Sequence, residues 1–209
     1  MNKRIFATAL LALSTLMVTA QSKQKVTSGI TAGISSGSVR ISGIDNRFTG
    51  FINGENIFGV EAGLFLKIKM DPFYVRPAAE IQYKRGTVDM VNSEGTTYTK
   101  SDFKMTRLEV PLLFGVNVIG RVNAEVGPVY NHVIGVTDRF SIYTADVPHD
   151  GLGYRAGANA QLGCFTLGIS YQSIKNISIT RGTFESPDEW ILSAAYTFGS
   201  KPGMAPYGK

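Results

Sequence analysis

Between Val26 and Phe198 the chain repeats one arrangement about eight times: a strand-length run, apolar at every second residue, closed alternately by a tight turn and by a long polar stretch. A period of two belongs to a β-strand whose faces meet different environments. The fold class this predicts is all-β: a transmembrane up-and-down antiparallel β-barrel of about eight strands, with short periplasmic turns and long extracellular loops. In such a barrel the apolar parity faces lipid and the polar parity faces the lumen, the reverse of a soluble protein.

The parities can be read run by run. Ile30, Ala32 and Ile34 oppose Gly29, Thr31 and Ser35, and then Phe58, Val60, Ala62, Leu64, Leu66 and Ile68 oppose Gly59, Glu61, Gly63, Lys67 and Lys69. Asp71 and Pro72 form a reversal, after which Val75, Pro77, Ala79, Ile81 and Tyr83 oppose Tyr74, Arg76, Ala78, Glu80, Gln82 and Lys84. The fourth run, around Met105 to Val118, sets Leu108, Val110, Leu112, Phe114 and Val116 against Arg107, Glu109, Pro111, Gly115 and Asn117, and the fifth sets Ala124, Val126, Pro128 and Tyr130 against Asn123, Glu125, Gly127 and Asn131. The last three place Tyr154 opposite Arg155, Phe165 and Tyr171 opposite Gln172, and Trp190, Tyr196 and Phe198 opposite Ser193, Ala195 and Thr197. Within each run every charge shares one parity. An Arg or Lys on the lipid face at mid-membrane costs about 2–4 kcal/mol, and an open sheet edge there is costlier still, so the sheet must close.

Residues 1–20 read as a signal peptide: Lys3 and Arg4 precede an apolar stretch from Ile5 to Val18, with Val18 and Ala20 suited to cleavage. No Cys follows that site, so lipidation there is not expected. The expected organisation is then a barrel domain over 21–199 and a short periplasmic tail over 200–209. The formal charge of +5 includes Lys3 and Arg4, so 5 − 2 leaves +3, spread without any run of about five like charges. That pattern excludes a nucleic-acid footprint. Cys164 is the single cysteine, which rules out an intrachain disulfide.

The lumen set Glu61, Lys67, Arg76, Glu80, Lys84, Arg107, Glu109, Glu125 and Arg155 mixes both signs. In an interior as narrow as that of eight strands, such a set is expected to form a salt-bridged structural plug. Tyr154, Phe165, Tyr171, Trp190, Tyr196 and Phe198 read as aromatic girdle residues at the membrane interfaces. His132, His149, Asp150, Asp138 and Ser141 gather near one loop, but their spacing fixes no nucleophile beside a base, so no catalytic residue is assigned. Nor do two histidines without matched carboxylates or thiols make a metal site, and no cofactor is expected.

Several stretches carry a family resemblance: Tyr74 to Gly86 (YVRPAAEIQYKRG), Arg107 to Val116 (RLEVPLLFGV), Ala124 to Tyr130 (AEVGPVY) and Gly153 to Asn176 with its SYQSIKNI tail. Together they resemble the PorT-like outer-membrane β-barrel family, most specifically at Leu108, Glu109, Val110 and Pro111, which look like that family's Leu-Glu-Ile-Pro strand. The resemblance implies a small, roughly eight-stranded barrel in a Gram-negative outer membrane. The family's namesake is linked to a protein-secretion and gliding apparatus, a role not transferred here. Tyr196, Thr197 and Phe198 are like a barrel-assembly signal, although Gly199 to Lys209 follow where many barrels stop.

The expectation is therefore a monomeric, non-enzymatic barrel in the outer membrane, a structural or interaction module whose partners are outer-membrane lipid, the barrel-assembly machinery and an unidentified protein. Its rivals are a barrel-rim enzyme of lipid-modifying or proteolytic type, a component of a secretion apparatus, a narrow pore, and a soluble lipocalin-like barrel with the charged parity in water.

Overall fold

The computed structural model describes residues 25–42, 52–91, 98–138, 150–177 and 183–198. The signal-peptide and tail readings, His149 and Ser141 lie outside them. Eight antiparallel strands follow one another in chain order: β1 (Lys25–Ser42), β2 (Ile52–Met70), β3 (Phe73–Val91), β4 (Tyr98–Ile119), β5 (Val122–Asp138), β6 (Asp150–Leu162), β7 (Phe165–Ile177) and β8 (Thr183–Thr197). Each pairs with the next, and β8 pairs back to β1, so the sheet closes.

The register measures that closure. Following direct partners from Thr31 through Gly63, Glu80, Glu109, Asn131, Gly151, Asn176 and Phe184 leads back to β1 at Ile41, 10 residues beyond the start. A stagger of this size requires strands tilted by about 40–45° and leaves an interior that side chains fill.

At one end the hairpins are minimal: Asp71–Pro72, Gly120–Arg121 and Gly163–Cys164 separate their strands. Gly120 and Gly163 have φ of 56° and 67°, left-handed values that suit glycine in two-residue reversals. The connections at the other end are shorter than the long polar stretches of the sequence suggest, with 9, 6, 11 and 5 residues between the strand bounds. Strands continue past the apolar belt on polar residues, where alternation fades but backbone pairing persists, as in Asp89↔Lys100 and Thr87↔Asp102.

Side-chain exposure follows the parities. Ile30, Leu64, Ile81, Phe114, Val126, Leu167 and Leu192 are all at least 46% exposed, while Glu80, Gln82, Arg107, Glu109, Asn131 and Glu189 are at most 1% exposed. A wall that presents its aliphatic residues outward while enclosing its charges is built for hydrocarbon, not water. Leu66 is an exception, with outward parity and 5% exposure.

Candidate functional site

The interior is organised by chain parity into layers. In the middle, four carboxylates (Glu61, Glu80, Glu109, Glu189) meet three cations (Lys84, Arg107, Arg155), contributed by β2, β3, β4, β6 and β8. Arg155 donates to Glu80 Oε2 and Glu109 Oε2, both at 2.7 Å, and to Gln172 Oε1 at 2.6 Å, with Glu61 at 3.8 Å. Glu189 Oε2 accepts from Arg107 at 2.6 Å and pairs with Lys84 at 2.9 Å, and its Oε1 accepts from Gln82 at 2.7 Å. Arg107 Nε also lies 2.6 Å from Glu109 Oε1, an ion pair without hydrogen-bond alignment. Gln172 bridges the two halves by donating to Glu109 and Glu189.

Glu61, Glu80 and Glu109 bring carboxylate oxygens within 4.8 Å of one another, a grouping that could surround a metal ion. The guanidinium of Arg155 already occupies that convergence, so the chain supplies the countercharge itself.

Above and below this layer the lumen turns apolar, which the parity reading did not anticipate. Moving outward along the same inward parity, Arg107 is followed by Met105 and Phe103, Glu61 by Ile57, Asn131 by Val133 and Gln172 by Ile174, each at most 2% exposed. Toward the periplasmic end stand Phe65, Leu113 and Ala78, at most 7% exposed. The ionic layer is thus flanked on both sides by buried apolar side chains.

Beyond the lower seal is a second, smaller network. Glu125 accepts from Tyr74 at 2.7 Å and from Arg76 at 2.6 and 3.1 Å. A Cβ on Gly115 would sit 2.1 Å from the Tyr74 ring, so the missing side chain is what admits the phenol. Lys67, expected among the salt bridges, instead places Nζ 3.9 Å over the Tyr74 ring and forms no ion pair with a carboxylate of the described residues. Glu189, the hub of the upper half of the central network, lies just before Trp190, at the edge of the apolar alternation, where that pattern does not mark it. Its parity with Ser193, Ala195 and Thr197 was the available signal.

The girdle residues divide between the two ends of the wall. Tyr154, Tyr171 and Trp190 form a chain near the outer end, with ring centroids 6.2 and 5.4 Å apart. Phe165, Tyr196 and Phe198 form another near the turns, at 5.3 and 5.8 Å. At the outer rim His132 Nδ1 lies 2.8 Å from Asp150 Oδ1, which also accepts from Tyr130 at 2.5 Å. The carboxylate that a rim enzyme needs beside His132 is therefore present, and the hydroxyl on it is a phenol.

No protein-family model matches the chain, and no curated protein matches it in sequence. Solved structures do match. Neisserial surface protein A is similar with a TM-score of 0.55 and 10% identity, covering 83% of this chain and 99% of that one. OprG of Pseudomonas aeruginosa follows with a TM-score of 0.48 and 14% identity, covering 85% and 98%. Ail, the attachment invasion locus protein of Yersinia pestis, has a TM-score of 0.43 and 15% identity, covering 83% and 99%. The fold is that of a small outer-membrane β-barrel.

Proposed function

We propose that the chain resides in the outer membrane as a monomeric, non-enzymatic barrel that serves as a structural or interaction module. The observation that carries this is the filled lumen: among the described residues, a charged layer whose members bind each other, flanked by apolar side chains on both sides, leaves neither a water column nor a substrate cleft inside the barrel. The outward Tyr196 and Phe198 at the turn end suit engagement by the barrel-assembly machinery. The protein partner would meet the strand ends and connections that project past the apolar belt. Affiliation with PorT-like barrels rests on the Leu108–Pro111 segment and its neighbours in sequence.

Membrane fractionation with heat-dependent gel mobility tests the placement. The folded chain is expected in the outer membrane and to migrate differently before and after boiling; a chain soluble without detergent would refute it. Single-channel recordings of the purified barrel are expected to show no conductance, and steady ion currents would revive the pore. The His132–Asp150 pair favours a second reading, a rim hydrolase. Its test is release of fatty acid from outer-leaflet lipid by the wild type and by His132→Ala, with the expected result that neither releases any.

A further inference from the structure

Two contrasting sets stand out among the outward-facing charges at the outer rim. On β5–β8, Asp150 and Asp188 are each held by a tyrosine, Asp150 by Tyr130 at 2.5 Å and Asp188 by Tyr171 at 2.6 Å. On the opposite side of the barrel stand two cations, Arg85 of β3 and Lys104 of β4, direct partners across the ladder and both exposed. Directly opposed residues on one face set their Cβ atoms about 5 Å apart, and like charges so placed repel. No carboxylate of the described residues forms an ion pair with either one. The nearest acid on that face, Asp102, lies two residues farther out on β4, opposite Thr87.

Height decides what can meet this pair. A strand tilted by about 45° climbs roughly 2.3 Å per residue, which lifts Arg85 about 28 Å above Phe73 at the turn end. An apolar band is about 25 Å tall, so both cations stand at the level of the outer-leaflet headgroups. Beneath them on the same face come Phe58, directly opposite Arg85, then Tyr83, Val60 and Ile81, 52, 41, 46 and 55% exposed. The strip reads downward as cations, aromatic rings, aliphatic chains.

We infer that this face binds a phosphorylated lipid of the outer leaflet, its phosphate seated between Arg85 and Lys104 and its acyl chains lying on Phe58, Val60, Ile81 and Tyr83. The guanidinium offers paired N–H donors to phosphate oxygens, the ammonium a point charge, and the anion relieves the repulsion between them. The inference rests on the membrane placement proposed above.

The test is native mass spectrometry of the mature barrel in neutral detergent, with phosphatidic acid and diacylglycerol of matched chains as probes. The wild type is expected to retain the phosphorylated lipid about tenfold better than the neutral one. Arg85→Gln/Lys104→Gln is expected to lose that preference, Arg85→Lys/Lys104→Arg to keep most of it, and Lys175→Gln, a cation elsewhere on the rim, to leave it unchanged, with wild-type heat-dependent mobility confirming that each is folded. Retention of the preference by the double Gln variant, its equal loss in Lys175→Gln, no preference in the wild type, or equal competition by inorganic phosphate would overturn the inference. A mature chain that needs no detergent would defeat the membrane placement as well; a detergent-dependent barrel without lipid preference defeats this inference alone.

Discussion

The centre of the lumen and its periplasmic end use the same chemistry with opposite security. At the centre Glu109 meets Arg107, Arg155 and Gln172, and Glu189 meets Arg107, Lys84, Gln82 and Gln172, all nearly inaccessible. At the periplasmic end Glu125 holds Tyr74 and Arg76, and the Arg76 side chain is 17% exposed. Loss of a partner behind two apolar seals leaves a charge that no water can reach, whereas at the mouth solvent steps in. A buried ion network is therefore far less tolerant of a missing member than one at a wet mouth.

Variants can break that contrast or refine it. Arg155→Ala strands Glu80, takes one of its three partners from Glu109, and is expected to destabilise by about 3–5 kcal/mol, read as a lowered urea midpoint in detergent. Leu64→Arg probes the other side of the wall. Leu64 is 63% exposed, and a cation there is expected to cost about 2–4 kcal/mol of folding free energy in lipid vesicles but far less in a soluble barrel, so a neutral result would reverse the inside-out assignment. Arg76→Ala, at the half-wet mouth, is expected to cost about 1 kcal/mol, less than a fully buried charged hydrogen bond because solvent screens it. Should it match Arg155→Ala, the distinction between the two networks fails. Tyr171→Phe removes the exposed rim hydrogen bond to Asp188 and should move stability by no more than about 0.5 kcal/mol.

What sequence alone revealed and what it concealed follow from where lipid ends. Along the belt, hydrocarbon forbids charge on one face, so the parity of Glu80, Arg107 or Arg155 could be read directly. Past the belt both faces meet water, the alternation disappears, and β4 was begun at Met105 although it pairs from Tyr98. Glu189 was lost at a similar edge. The apolar seals were hidden for a different reason: Met105, Ile57 and Ile174 are inward-facing, and no local rule separates an aliphatic residue that faces lipid from one that stops a lumen. The charge of Lys67 suggests an ion pair, while the Tyr74 ring beneath it follows only from the β2–β3 register.

The pairing of β8 with β1 also makes closure of the ring depend on the first and last strands together. Gly29 to Ser42 wait for Thr183 to Thr197, segments from opposite ends of the polypeptide. Until that seam zips, both terminal ladders are unsatisfied, and no shorter nascent fragment can present a complete ring to the bilayer. The cylinder is thus an all-or-nothing product, and a chaperone that shields one open margin while the rest inserts would be guarding this junction.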